Sequence, residues 1–228
     1  MATFIQLCQK TARESQTVSG TYPTSVSDQT GWLLQIVKAV VDAWENIQNK
    51  HPDWRWMRAD FEGDTISGTA RYTAAGWSLT RFAEWITEPD VITIYKDSTG
   101  VSDEGPLTFK PWQEWQRLYD RGTQTANRPV HWSISPTNEF CLGPKPDAVY
   151  TVRGPYRKGN QTLANNTDEP EGPGRFHNAI VYEALEILAG FDETPAAVVT
   201  ARSKLLKIMD GLERDQLPRL ELGGDPIA

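Results

Sequence analysis

The spacing of apolar residues changes twice along this chain, and that change constrains the fold more than any other sequence feature. Towards both ends, apolar residues recur about every 3.6 residues, as in amphipathic helices, whereas between about residues 59 and 155 they recur every second residue, as in half-buried strands. We therefore expect an α+β protein, a small helical bundle that carries an antiparallel β-rich insertion. The expected segments are 1–58 and 156–216 for the bundle, 59–155 for the insertion and 217–228 for an extended C-terminal arm.

Two helices are predicted before the insertion. Residues 3–14 have apolar residues at helical spacing behind Thr3 as the N-cap, and a stretch rich in Ser, Thr, Gly and Pro then ends this helix. A longer helix begins at Asp28 or Thr30 and extends to about Asn49. Its apolar stripe consists of Leu33, Ile36, Val37, Val40, Trp44 and Ile47. The segment PDWRWM that follows is predicted to form a short turn or helix.

Two further helices are predicted after the insertion. The first ends at Gly190, and its stripe consists of Phe176, Ile180, Ala184, Leu185 and Leu188. The second begins with Thr194 as the N-cap and Pro195 at the first helical position, and Pro218 ends it. Its stripe consists of Val198, Ala201, Leu205, Ile208, Met209 and Leu212. The residues from 217 to 228 carry no stripe, and an extended chain of that length reaches roughly 35 to 40 Å.

The insertion is predicted to be mainly antiparallel sheet. DFEGDTISGTARY has the pattern of a hairpin and VITIYKD that of a strand. PVHWSIS alternates Val130, Trp132 and Ile134 with polar neighbours, a turn joins it to EFCLG, and AVYTVRG follows. We expect these last three segments to be adjacent antiparallel strands. FKPWQEWQRLYDRG, in the same region, is predicted to be helical, with one face formed by Trp112, Trp115 and Leu118.

The charge balance weighs against a protein that grips nucleic acid. The net charge is -7 and the pI is near 5.1, whereas phosphate neutralisation needs clustered Lys and Arg. The same balance is compatible with DNA that slides past the protein. Nine tryptophans are many for 228 residues, and large aromatic side chains are frequent in cores and interfaces. This excess indicates assembly with other proteins.

The two cysteines and the N-terminal segment favour a soluble protein of a reducing compartment. Cys8 and Cys141 fall in a predicted helix and a predicted strand, which offers neither a disulfide framework nor metal-ligand spacing. MATFIQLCQKTARE interrupts its apolar residues too early for a signal peptide. The longest apolar runs are far shorter than the ~20 residues of a membrane span. We therefore expect a cytoplasmic location and no membrane association.

The sequence nominates no catalytic, cofactor-binding or metal-binding residue. His51, His131 and His177 lie far apart and lack a His, Cys or acidic partner at metal-ligand spacing. The glycine pairs do not lie between a strand and a helix of a βαβ unit, and the sequence has no phosphate-binding loop and no nucleophile elbow. We therefore expect neither a cofactor nor an enzymatic activity.

Three acidic residues leave an enzymatic alternative open. Asp60, Glu62 and Asp64 alternate along a predicted strand, so their carboxylates share one face. Such a face suits a cation or an acid/base pair, and a glycan-processing enzyme would combine it with tryptophans as a sugar platform. We favour an ordinary solvated strand face, because strands display such faces routinely.

The cluster Trp54, Arg55 and Trp56 has two interpretations. As an aromatic platform it would bind a sugar or a base. As a subunit or subdomain interface it matches the enrichment of aromatic and Arg residues in such contacts, and we favour this interpretation. The interface hypothesis comprises Trp44, Trp54, Arg55 and Trp56. Packing is also the favoured role of Trp77, Trp85, Trp112 and Trp115.

The first quarter of the chain carries several motifs in a fixed order. An LC..ARE helix is followed by a TVSG.YPTSV loop, a G.....IV.WV..AW..IQ helix and a WRWM segment. In this order the chain resembles a family of head-to-tail adaptor proteins of tailed bacteriophages. The chain departs from the pattern before the AW pair, where Lys38 and Ala39 stand in place of an aromatic. The matching positions are Leu7, Cys8, Ala12, Arg13, Glu14, Thr17, Val18, Gly20, Pro23, Gly31, Ile36, Val37, Ala43, Trp44, Ile47, Gln48, Trp54, Trp56 and Met57.

The resemblance implies a structural subunit of a phage particle. The alternatives are a tail, baseplate or glycan-binding virion protein that uses Trp54 and Trp56, and a glycan-processing virion enzyme that uses the acidic face. The resemblance implies a ring, usually a dodecamer, that docks beneath the portal protein, extends the DNA channel and offers a platform to tail or neck proteins. DNA would pass transiently, without sequence-specific binding. The expected location is the head-to-tail interface of the virion, reached by assembly in the host cytoplasm from free monomers. The resemblance also implies a portal-binding arm, here formed by Leu217, Pro218, Arg219, Leu220, Leu222, Pro226 and Ile227.

Overall fold

The computed structural model describes residues 1–15, 22–190 and 195–218. Contacts divide the chain into a helical unit, Met1–Trp56 with Asn160–Ala228, and a sheet unit, Met57–Gly159. The described residues form five α-helices and two largely antiparallel sheets, which confirms the expected α+β fold class. The helices are α1 (Phe4–Ser15), α2 (Gly31–Lys50), α3 (Trp112–Trp115), α4 (Asn178–Ala189) and α5 (Pro195–Gln216).

The strands of the described residues all lie in the sheet unit. They are β1 (Arg58–Asp64), β2 (Arg71–Tyr72), β3 (Phe82–Trp85), β4 (Thr93–Lys96), β5 (Gly105–Pro106), β6 (Thr108–Phe109), β7 (His131–Ile134), β8 (Phe140–Gly143) and β9 (Tyr150–Lys158).

The helical unit is built around α4, which packs against α1, α2 and α5. Its buried residues combine two alanines with three branched side chains, and small residues at helix contacts let neighbouring helices approach closely. They are Ala179, Ile180, Val181, Ala184 and Leu188. Gly190 follows the helix directly and ends it, as predicted.

The flanking helices bury the predicted stripes almost completely. α2 spans 20 residues, about 30 Å of helix. Leu33 is the one residue of its predicted stripe that is only half-buried; the buried ones are Ile36, Val37, Val40, Trp44 and Ile47. In the part of α5 whose side chains the structure describes, Ile208 is half-buried. The buried stripe residues there are Ala201, Leu205, Met209 and Leu212.

The first amide groups of α1 are bound by a loop that follows the sheet unit in sequence. The Phe4 N–H donates to the carbonyl of Asp168 at 2.7 Å, and the Ile5 N–H donates to that of Asn166 at 3.3 Å. The carboxylate of Asp168 accepts hydrogen bonds from the amides of Ala164 and Asn165, which holds the loop in shape. This loop therefore provides the partners that the free N–H groups at a helix N-terminus require.

The longest strand, β9, organises the first sheet. It pairs with β1 along one edge and with β4 and β3 along the other, and β5 extends the sheet beyond β4. All these pairs are antiparallel. The second sheet has the order β2, β8, β7, β6, and its β6–β7 pair is parallel.

The predicted hairpin in DFEGDTISGTARY is wrong. Its two strands lie in different sheets, since β1 pairs with β9 and β2 with β8. The Tyr72 hydroxyl holds the connection, because it donates to the Thr69 carbonyl at 2.6 Å and accepts from the Ile66 N–H at 3.0 Å. Alternation within a segment indicates a strand but carries no information on its partner, and here the connection crosses to the other sheet.

Only part of the predicted three-strand order is correct. β7 and β8 are antiparallel neighbours, as expected, but β9 joins the other sheet. There it finds a long partner in β1, with Arg153 opposite Glu62 and Thr151 opposite Asp64. The predicted face of PVHWSIS is also partly wrong, since Val130 precedes the strand and is 48% exposed.

The helix predicted in FKPWQEWQRLYDRG is shorter and wound differently. α3 continues as a π-helical turn over Gln116–Asp120. A π-turn contains more residues than an α-turn, so side chains beyond it rotate away from an α-helical stripe. Leu118 is therefore 43% exposed, whereas Tyr119 faces the second sheet. The Tyr119 hydroxyl bonds the His131 Nδ1 at 2.6 Å, and its ring lies so close to Gly143 that a β-carbon there would overlap it.

Aromatic side chains fill the core of the sheet unit. The ring of Phe61 has four aromatic neighbours within 6.5 Å between centroids: Trp77, Trp85, Phe140 and Tyr156. Trp132 stacks on Phe140 at 5.0 Å with ring planes at 12°. Trp77 and Trp85 thus have the packing role that the sequence favoured.

Gly63→Ala is expected to destabilise the sheet unit by about 1–3 kcal/mol, because the new β-carbon would overlap the Trp77 ring beside Gly63. Gly105→Ala is the matched control in the same unit, since the nearest atom to its β-carbon is 3.9 Å away. Urea unfolding followed by tryptophan fluorescence measures both. Equal midpoints for the two variants would contradict the close packing of Trp77.

Candidate assembly surfaces

Three tryptophans form one stack inside the helical unit. The centroids of Trp54 and Trp56 are 4.5 Å apart with ring planes at 18°, and those of Trp56 and Trp44 are 6.2 Å apart with planes at 23°. Trp54 is fully buried, and its indole N–H donates to the Ile47 carbonyl at 2.9 Å. The stack therefore fixes the segment after α2 against α2 itself.

The structure brings together three of the four residues in the interface hypothesis. Trp44, Trp54 and Trp56 belong to the stack, whereas Arg55 is exposed. A sugar platform needs an accessible indole face, and fully buried Trp54 has none. The stack explains these tryptophans by packing within one chain, and a contact of Arg55 or Trp56 with another subunit stays a prediction.

The buried side chain of Gln48 holds the segment that returns to the helical unit. Its Oε1 accepts from the Gln161 N–H at 2.7 Å, and its Nε2 donates to the Gln161 carbonyl at 3.1 Å. The side-chain amide thus pairs with a main-chain N–H and C=O as a neighbouring strand would. Sequence reasoning missed Gln161, although Gln48 stood among the positions of the family pattern.

The side chain of Gln161 continues this network. Its Oε1 accepts from the Trp44 indole N–H at 3.2 Å and from the Glu171 N–H at 3.0 Å. Its Nε2 donates to the Glu169 carbonyl at 2.9 Å. One glutamine therefore joins the tryptophan stack to the polar loop that precedes α4.

The acidic face of β1 exists as predicted, but two of its carboxylates are engaged. Glu62 accepts from the Arg153 guanidinium at 3.1 and 3.2 Å and from the Tyr95 hydroxyl at 3.1 Å. Asp64 accepts from the Thr151 hydroxyl at 2.9 Å. Hydrogen bonds from Arg153 lower the pKa of Glu62, so this carboxylate stays ionised and is a poor proton donor near neutral pH. Glu62 and Asp64 therefore bind side chains of the neighbouring strand β9 and do not form an acid/base pair.

The three histidines occupy separate places. His51 bonds Glu213 at 3.1 Å, and His177 bonds the Gly172 carbonyl at 3.0 Å and accepts from the Ala2 N–H. Burial, and secondarily the charge of Lys110, lowers the pKa of His131. Among the residues that the structure describes, no group of three or more His, Cys, Asp or Glu could hold a metal ion.

Both cysteines are buried free thiols in different units. Cys8 lies in α1 and Cys141 in β8. Burial raises the pKa of each thiol to about 12, so the reactive thiolate is scarce at neutral pH. Neither has the environment of a nucleophile.

Comparison with known protein families identifies the family of this chain. The family described as SU10 adaptor protein matches residues 2–222. The chain belongs to this family. It is therefore a structural adaptor protein of a phage and a component of the virion that interacts with other virion proteins. No curated protein matches the chain.

In this SU10 adaptor, most described positions of the N-terminal pattern are core residues of α1 and α2. Ala39, which replaces the expected aromatic, is 2% exposed, and Lys38 beside it faces solvent. The departure thus places a small side chain in the core. Thr17, Val18 and Gly20 lie outside the described residues. The buried pattern positions are Leu7, Cys8, Ala12, Pro23, Ile36, Val37, Ala43, Trp44, Ile47, Gln48, Trp54 and Met57.

The predicted C-terminal arm of the adaptor lies mostly outside the described residues. Leu217 remains attached to the end of α5, since its N–H donates to the Glu213 carbonyl at 2.9 Å. Pro218 follows it and is exposed. The arm residues that fall outside the described part are Arg219, Leu220, Leu222, Pro226 and Ile227. Across the described ranges, no helix is both long and apolar enough to span a membrane.

Gln48→Ala is expected to lower the free energy of unfolding by about 2–3 kcal/mol, because it leaves the main-chain N–H and C=O of Gln161 without their buried partner. Gln35→Ala removes an exposed glutamine from the same helix and serves as the control. Chemical denaturation of both variants provides the comparison. A Gln48→Ala chain as stable as the control would show that the return segment is held elsewhere.

Proposed function

We propose that this chain is a non-enzymatic head-to-tail adaptor that forms an oligomeric ring, a dodecamer, beneath the portal of a tailed phage. The ring extends the DNA channel and connects it to tail or neck proteins. The observation that carries the proposal is the family match, which spans residues 2–222 and so includes both the helical unit and the start of the arm. Assembly takes place in the host cytoplasm, before the virion is complete.

A structural role agrees with the state of the reactive side chains. Glu62 is ion-paired with Arg153, both thiols are buried, and the histidines contact separate parts of the fold. A catalytic site needs a nucleophile or acid with a base beside it in an open pocket. The described residues offer structural partners to these groups instead, which supports a role other than catalysis.

The charge of the chain suits a passage for DNA. A net charge of -7 repels phosphate weakly, so DNA moves through the ring without the tight contacts that would arrest it. DNA passage is accordingly transient and independent of sequence in this proposal.

The arm from residue 217 to residue 228 is the part that we assign to the portal. It follows α5 directly, and its two prolines and two glycines disfavour a continued helix. Leu220, Leu222 and Ile227 supply apolar side chains for a contact with the portal protein.

Deletion of residues 217–228 is expected to abolish binding to the purified portal protein, because it removes the proposed contact while the buried residues of α5 remain. Size-exclusion chromatography of portal mixed with the full or truncated chain gives the comparison. A variant of full length with residues 219–228 in shuffled order keeps the length of the arm but changes its sequence. It should also lose portal binding if the sequence of the arm makes the contact. Circular dichroism should show an unchanged fold, and undiminished portal binding by the truncated chain would refute the arm assignment.

A further inference from the structure

The outer face of α5 exposes a leucine between two cations. Leu206 is 64% exposed, and Arg202, Ser203 and Lys207 line a shallow surface recess with it. Neither Arg202 nor Lys207 has an acidic partner within the described ranges. The helix buries its other side, so this leucine contributes nothing to the bundle core. An exposed apolar side chain with a charged rim is the composition of a protein contact.

The outer face of α2 carries the opposite charge. Asp42 and Glu45 are exposed, and neither pairs with a cation in the part of the chain that the structure describes. Val41 lies half-buried next to Asp42, and Lys38 is exposed one turn earlier. Since α4 packs against both α2 and α5, these exposed stripes occupy two different faces of the helical unit.

We propose that the outer face of α5 binds the outer face of α2 in a second copy of the chain, with the two helices antiparallel. In this orientation three successive charges on one helix meet opposite charges on the other. At about 1.5 Å of rise per residue, the charged stretches have lengths of roughly 10 and 12 Å and so match. The facing pairs are Glu45 with Arg202, Asp42 with Lys207, and Lys38 with Asp210.

The orientation follows from the order of the charges. A parallel arrangement would place Lys38 opposite Arg202 and Glu45 opposite Asp210, which puts like charges together at both ends. In the antiparallel arrangement Leu206 lies at the level of Val41, so an apolar contact lies among the ion pairs. Asp210 keeps its own pair with Arg214 at 3.0 Å and shares its carboxylate with the second copy.

This contact rests on the proposed ring and gives it a mechanism. Because it joins two different faces, each copy uses α5 towards one neighbour and α2 towards the other. A heterologous contact of this kind forms a ring when the rotation between copies closes, and the portal would set that rotation. Exposed ion pairs contribute little individually, so two free copies associate weakly. Copies held side by side on a portal face each other at high effective concentration, and there the same contact closes the ring.

Charge reversal on either face tests the contact. The first variant carries Arg202→Glu and Lys207→Glu, and the second carries Asp42→Lys and Glu45→Lys. Each variant alone places like charges across the contact, and we expect the amount of ring on purified portal protein to fall at least about tenfold. Light scattering after size-exclusion chromatography measures it. All four positions are exposed, so thermal unfolding of the free variants should match that of the wild type.

An equimolar mixture of the two variants should restore the ring. The reversed α5 of one variant then faces the reversed α2 of the other, and the two unaltered faces also complement each other. The control for the variant with Arg202→Glu and Lys207→Glu carries Arg117→Glu and Arg121→Glu. These two exposed cations of the sheet unit give the same change in net charge, and this control should assemble like the wild type.

The outcomes separate the contact from the ring. Loss of assembly in each variant and recovery in the mixture support the α2–α5 contact. If the wild type forms a ring and the variants do so equally well, or if the mixture assembles no better than its components, the contact is wrong and the ring stands. A wild type that never joins the portal in several copies overturns the ring and this contact together.

Discussion

The pairing of the Gln48 side chain with the main chain of Gln161 is the contact on which the helical unit depends. The unit is assembled from two distant parts of the sequence. The side-chain amide of Gln48 forms hydrogen bonds with the main-chain N–H and C=O of Gln161, where the chain returns to this unit. Gln161 then binds the Trp44 indole, and the loop that follows supplies the carbonyl groups for the start of α1. Loss of one buried amide would therefore loosen the tryptophan stack and the helix cap together.

The first and last strands of the sheet unit are neighbours, which brings the two ends of the unit together. β1 and β9 are paired along their lengths, with Arg58 opposite Arg157. The chain therefore enters and leaves the sheet unit at adjacent positions, as expected for a domain inserted into another one. The core of the insertion is aromatic, and the rings of Trp77 and Tyr119 leave no room for a β-carbon at Gly63 and Gly143.

The helices were predictable from sequence because their buried stripes are local. α1, α2, α4 and α5 follow stripes of apolar residues, and the predicted stripe residues Leu33, Leu185 and Ile208 are only half-buried. Six of the nine described strands were predicted, whereas the short strands β3, β5 and β6 were not. Two predicted pairings were wrong, because partner choice depends on residues far apart in sequence, such as Arg153 and Glu62. The π-helical turn over Gln116–Asp120 was not predicted, and the close contact of Tyr119 with Gly143 joins residues that no local pattern relates.

The assembly surfaces, too, were only partly predictable from the sequence. The tryptophans near residue 55 were recognised as packing residues, but their stacking inside one chain required the fold. The exposed charges of α2 and α5 are visible in the sequence, yet only the positions of both helices around α4 show that they belong to different faces. The portal protein that we propose as the partner of the C-terminal arm is another chain, so no feature of this chain alone identifies it.

Native mass spectrometry of the protein, alone and with the portal of the same phage, tests the central claim most directly. We predict a monomer of 25.6 kDa in isolation and a complex in which the portal gains a full ring of adaptor copies. A portal whose mass is unchanged by an excess of this protein would contradict the account.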